Sequence, residues 1–404
     1  MKNINIHFLP IFLILVSVFF YVSIRFWYVS MTHAPAETGQ SAGAIPIIAF
    51  SAFLWLLCLC GIPRGIHLVS LLWFLLMPIV NGLSHGISSG YVLPLLWPIL
   101  FEMSYLFCRH GEQTVRIFRL FFVVVAIIGV VLFAIARMER DISGQTNTIF
   151  FALLTMPWLL LFQEKKMQLI YMLFFTVLII LSLKRSSLLV LVLYWAFYGI
   201  TLLKSNRNKL LALSMVVAIV FMGMYAYAFA DEAMGGALNE RVNREETDEG
   251  RNRLGIYEVT MAMIQSSPFH KLMMGHGHFA VREESPLNIS AHNDFLEVIY
   301  DYGLVAFVLY LCLWYYVLKR CVLLYKLDSM LFFPYSVTVS IFLVMSMVSH
   351  LILYNSYFLY MVMFWGAIEG LKESEDATEY FKVDDEDFET SEEYEDFGKV
   401  NQLL

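Results

Sequence analysis

Within this 404-residue chain, the side chains best suited to chemistry gather in one polar stretch and its junction with an apolar run. There, Ser290-Ala-His292-Asn293-Asp294-Phe-Leu-Glu297-Val-Ile-Tyr-Asp301-Tyr-Gly303 sets an imidazole just ahead of hydrophobic sequence. Histidine titrates near neutral pH and can take a proton from a hydroxyl. Asp294, Glu297 and Asp301 follow at three- and four-residue steps, so on a helix they share a face. One of these acids could orient the imidazole, as an acid orients the histidine of a hydrolase triad. The same residues could equally be interfacial polar groups capping a membrane span.

Upstream, Arg251-Asn-Arg253-Leu-Gly-Ile-Tyr257 opens a segment with helical spacing. Leu254, Tyr257, Met261 and Ile264 recur at three- and four-residue steps, which predicts an amphipathic helix lying along the outer membrane surface. Pro268 ends it. Arginines near a helix N-terminus add their charge to the positive end of the dipole, and guanidinium forks bind phosphate bidentately. This is a candidate pyrophosphate cradle, or a solvated pair balancing Glu245, Glu246, Asp248 and Glu249. Gly275-His276-Gly277-His278 reads as a backbone turn approaching a ligand; no third residue has convincing spacing for a metal site. Lys184-Arg185, on a tight turn between two apolar runs, could face the same anion as Arg253 or anchor a lipid headgroup.

These residues must be positioned by a membrane body. The chain is 59% hydrophobic and 15% charged, with a mean hydropathy of +0.67, against roughly 45–50% and 25% in soluble domains. That composition excludes a single soluble domain, a nucleic-acid binder and a disordered scaffold. Stretches near the ~20 apolar residues a span needs fall at 7–28, 45–61, 66–80, 91–107, 117–136, 148–163, 167–183, 187–203, 210–230, 302–318, 331–348 and 351–370. The reading is therefore all-α, about twelve spans. The run after Lys2 has no small-residue cleavage site and reads as a retained first span.

With the N-terminus inside, the short inner segments carry thirteen Lys and Arg against five outside (Arg25, Arg137, Arg140, Lys184, Arg185). That bias sets both termini inside. Four regions follow: a nine-span body at 1–230, a catalytic loop at 231–301, three spans at 302–370 and an acidic tail at 371–404. From Lys372 onward, thirteen acids and three lysines give −10, so the remainder of the −7 chain carries +3. The tail reads as a solvated, disordered run. Charges within spans are scarce, with Glu102 the clearest and His350 near an outer end. The five cysteines read as apolar packing residues.

Taken together, these residues resemble the O-antigen ligase and O-antigen polymerase family. The resemblance rests on Arg253-Leu254-Gly-Ile256-Tyr257, on Pro268 with Gly275-His-Gly277, and on His292-Asn293 followed by Gly303. Lys184-Arg185-Ser186 matches the family's Ser-Arg-Gly turn, with serine in place of glycine. Motifs cover about 180–320 and the span pattern covers the rest. The resemblance implies a GT-C-like fold with one large periplasmic loop between helices 9 and 10. It also implies glycan transfer from an undecaprenyl-pyrophosphate-linked donor in the bacterial inner membrane, with no metal or other cofactor. It assigns His292 as base, Arg253 and Arg185 as the pyrophosphate clamp, and Arg251, Arg282, Lys184, Asn293, Asp301 and Tyr257 as supporting residues.

Polymerisation of O-antigen, capsule or exopolysaccharide units is favoured over ligation to lipid A-core, because Ala306 departs from the ligase-type end of the motif. The expected partners are the lipid-linked glycan, the bilayer, and flippase and chain-length regulator proteins. A twelve-span flippase or transporter is the rival from another class. It is disfavoured by the missing internal repeat and the scarce intramembrane charge. An assembly scaffold that recruits partners through the tail is the third reading.

Overall fold

A computed structural model describes residues 9–32, 52, 64–84, 94–139, 146–205, 214, 228–229, 231–232, 235–236, 253–353 and 355–374. Among these residues every regular element is helical. They are α1 (Leu9–Thr32), α2 (Ile66–Ser84), α3 (Leu96–Cys108), α4 (Glu112–Met138), α5 (Ile149–Leu153), α6 (Met156–Leu160), α7 (Lys165–Ser182) and α8 (Arg185–Ser205). After the undescribed stretch come α9 (Arg253–Ser266), α10 (Phe269–Met274), α11 (Ala280–Glu284), α12 (Asp294–Glu297), α13 (Gly303–Lys326), α14 (Phe332–Val348) and α15 (Asn355–Lys372). A π-helical turn, Val298–Tyr302, joins α12 to α13.

Four described helical runs are long and apolar enough to cross a membrane: Glu112–Met138, Lys165–Ser182, Arg185–Lys204 and Asp294–Lys326. Their outward faces suit lipid. On α4, Leu120, Val124, Ile127 and Val131 are exposed at helical spacing, a contiguous apolar stripe that water would penalise. Candidate spans 45–61 and 210–230 fall almost wholly outside the described residues, as does the tail from 375 onward.

The sixth candidate span is not one helix. It breaks between α5 and α6, where Pro157 in the first turn of α6 has no N–H to give the carbonyl four residues back. The break lies against α4: a Cβ at Gly129 would stand 3.0 Å from Ala152 N. Aromatic packing fills this centre, with Trp158 stacked on Phe122 at 4.3 Å and edge-on to Phe364 at 5.2 Å. The helix pair α3 and α15 approaches closely. Side chains at Gly366 or Gly370 would run into the carbonyls of Phe101 and Tyr105, the small-residue route to close helix approach in lipid.

The expected helix is present as α9. Leu254 is 70% exposed and Met261 43% exposed, whereas Ile256 and Thr260 are buried. The helix packs against α12 and the π turn through Ile256 and Thr260, with Met263 and Ile264 reaching a small cluster of Ala280, Val281, Ala291 and Tyr300. Leu254 and Met261 stay on the outward side, the side an amphipathic helix would turn to a membrane surface.

Candidate active site

The site is framed by two glycines. Gly275 (φ +86°) closes α10 and Gly303 (φ +81°) opens α13. A Cβ at Gly275 would collide with Asp301 O and Tyr302 Cα, and one at Gly303 with Met273 O and Gly275 N. Two separated sequence motifs therefore interlock backbone to backbone. The π turn supplies the acceptors: His276 N–H donates to Tyr300 O at 3.0 Å and Gly277 N–H to Asp301 O at 2.8 Å. The Asp301 carboxylate completes the joint by accepting from Phe279 N at 3.0 Å and Val281 N at 2.8 Å. Asp301 thus builds the glycine turn.

The two histidines of that turn take separate partners. His276 lies between Ser267 Oγ at 3.0 Å and Glu284 Oε2 at 2.9 Å and stacks on Tyr300 at 4.0 Å. His278 Nδ1 meets the Tyr302 hydroxyl at 2.5 Å. Burial pushes the His278 imidazole down to about 3, so it is neutral at pH 7.

The chain then returns to His292, whose φ of +55° is left-handed. Its N–H donates to Glu297 Oε1 at 3.2 Å, and its carbonyl accepts from the Tyr257 hydroxyl at 3.4 Å. Asn293 caps α12: its Oδ1 accepts from Phe295 N at 3.0 Å and Leu296 N at 3.2 Å. Its Nδ2 donates to Met347 O at 3.3 Å, the carbonyl that also takes the Tyr257 hydroxyl at 2.9 Å. Tyr257 and Asn293 therefore tie α9 and α12 to the last turn of α14.

The connection after α14 completes the site. Asp294, fully buried, accepts from the N–H groups of Leu351 and Ile352. Glu297, also fully buried, turns Oε2 to His350 Nδ1 at 3.2 Å. The His350 ring lies 4.3 Å from that of His292, centroid to centroid. Burial pushes His350 down to about 4; Asp294 opposes that shift, while Lys184, Arg253 and Arg282 reinforce it. Cations from three separated segments thus act on one buried imidazole.

Lys184 stands in a turn fixed by serines. Leu183 is left-handed at φ +53°, Lys184 N–H donates to Ser182 Oγ at 3.2 Å, and Ser187 Oγ donates to Lys184 O at 2.7 Å. Arg185 follows as the first residue of α8. Arg253 is the first residue of α9 and acts on Tyr257; Arg282 lies in α11. Arg251 lies outside the described residues. Tyr257, His292, Asn293 and His350 are joined by these contacts, and the charges of Lys184, Arg253 and Arg282 reach the His350 ring, with Asp301 behind the glycine turn.

Sequence reasoning offered Glu297 only as one of three acids that could orient His292, and gave His350 no place beside it. The available signal was a second histidine at the end of an apolar run on the side expected to be outer.

Residues 170–311 match the family described as O-antigen ligase. That range takes in Lys184, Arg185, Arg253, Arg282, His292, Asp301 and Gly303 and stops short of His350. No curated protein matches the chain.

Proposed function

We propose, from the match of residues 170–311 to the O-antigen ligase family, that the chain transfers glycan from an undecaprenyl-pyrophosphate-linked donor to a sugar hydroxyl. The carrying observation is the placement of His292 beside the His350 imidazole, which feels the charges of Lys184, Arg253 and Arg282. A base next to a cationic rim is what displacement of a pyrophosphate requires. His292 takes the acceptor hydroxyl proton, and the acceptor oxygen bonds to the anomeric carbon. The bond from that carbon to the pyrophosphate oxygen breaks, and its electron pair leaves on the phosphate. Arg253, Arg185 and Lys184, with Arg282 and Arg251, offset that charge. No cofactor enters the scheme.

The proposed setting is the bacterial inner membrane, with both termini inside and the site on the periplasmic face. Flippase and chain-length regulator proteins are the proposed neighbours. Polymerisation of repeat units is our preferred reaction and ligation to lipid A-core the alternative. His292→Ala should abolish transfer while the protein still inserts; full-length glycan made in cells by that variant would remove the base assignment. Deleting the gene separates the two reactions. Single repeat units left on the carrier or core indicate a polymerase; full-length glycan stranded on its carrier indicates a ligase.

A further inference from the structure

We propose that His350, held by Glu297, is a positioning residue for His292: the two imidazoles and the carboxylate between them form one proton-accepting unit. The inference rests on the transfer reaction above. Its grounds are geometric. One Glu297 oxygen takes the His292 N–H at 3.2 Å, and the other faces His350 Nδ1 at 3.2 Å. A single carboxylate therefore fixes the backbone of one histidine and the ring of the other. The rings are 4.3 Å apart and tilted by 39°, close enough that moving one moves the other. The segment carrying His350 is itself fastened to α12, because Asp294 holds the N–H groups of Leu351 and Ile352.

The charged and titratable groups acting on this unit come from every side. Asp294 and Glu297 lie on α12, Lys184 on the turn before α8, Arg253 on α9 and Arg282 on α11. Burial and those three cations keep His350 neutral near pH 7. Two imidazoles in contact do not both hold an added proton, because the like charges repel. Such a pair titrates as a unit. The added proton is assigned to His292, whose backbone N–H is held by the Glu297 side chain.

The experiment uses the full chain in detergent-solubilised membranes. The donor probe is the lipid-linked glycan that accumulates in cells lacking this gene. Transfer is followed against donor concentration and between pH 5 and 8.5. His350→Leu removes the partner of Glu297. Its kcat should fall roughly 100-fold through lost orientation, with KM for the donor little changed. The rising limb of its pH profile should move, because the group that shares Glu297 with the His292 N–H is gone. His350→Gln, which can still donate to Glu297, should return the limb to its wild-type position and recover part of the rate.

A wild-type rate and profile in His350→Leu would overturn the proposal. So would a reduced rate with an unmoved limb, which is the signature of packing alone. If His350→Leu does not fold, His350→Gln decides through the same limb: a limb displaced from wild type counts against a role carried by the Glu297 contact. His292→Ala assayed alongside keeps the two readings apart. An inactive His292→Ala beside a wild-type His350→Leu sinks this inference alone, whereas an active His292→Ala sinks the transfer mechanism.

Discussion

At Arg253 the guanidinium is asked to do what an ammonium cannot. It opens α9 beside Tyr257 and contributes to the field at His350. A planar fork meets a phosphate through two parallel bonds, whereas a lysine offers a point charge. Arg253→Lys should lower glycan transfer by at least ~10-fold while leaving protein level unchanged, measured as the glycan ladder from cells expressing each form. A wild-type ladder would take Arg253 out of the clamp. The residue types of this site were legible in sequence: an imidazole, guanidiniums, and acids at helical steps. The division of labour among the acids was not. Asp294, Glu297 and Asp301 share a spacing, yet Asp294 and Glu297 bind the connection after α14 while Asp301 binds the glycine turn. Spacing places side chains on one element and says nothing of which neighbour each will meet.

On the scale of elements, the joint between α10 and α13 is the part most sensitive to a single methyl. Gly275 and Gly303 adopt left-handed backbone and each abuts the other's neighbours. Gly303→Ala should cost more than the ~1 kcal/mol of an ordinary left-handed substitution, because a main-chain carbonyl also has to move. We expect a lower apparent Tm in detergent and loss of transfer together; a variant with wild-type values in both would show that the two backbones are not in contact. The glycines were visible in sequence as turns, but their meeting was not, since 27 positions separate them. The same holds for α9. Its helical spacing and apolar stripe were plain, whereas the side that meets the protein, through Ile256 and Thr260, was not. Periodicity marks a hydrophobic stripe and is silent on which residues meet a protein neighbour.

Across the whole molecule, polar groups concentrate at two levels. The site lies at the start of α13, and Arg320 comes seventeen residues later, about 25 Å along the helix at 1.5 Å per residue. There Arg320 forks onto Glu369 through contacts of 2.7 and 2.5 Å. Glu102, the in-span acid evident from sequence, is bound by Ser70 Oγ at 2.5 Å and His67 Nδ1 at 2.8 Å. Ionisable groups within an apolar body pair with one another in this way. Charge balance also governs stability against pH. His278 and His350 are held neutral, at about 3 and about 4, against 6.5 when exposed. For these two rings the unfolded chain binds more protons below pH 6.5, so each takes stability away as pH drops through that range. His350→Gln, which has no proton to gain, should therefore lose less apparent Tm than the wild-type protein between pH 6.5 and 4. Equal losses in the two proteins would show that the His350 ring is not buried neutral.

The left-handed backbone at His292 carries a consequence for evolution as well as for chemistry. A residue with a Cβ holds φ +55° at a cost of about 1 kcal/mol, which glycine avoids. His292→Gly should therefore melt higher than His292→Ala although both are inactive, and equal melting would show a relaxed torsion. Drift towards stability alone would erase the imidazole; its presence marks a position where selection favours reaction over rest.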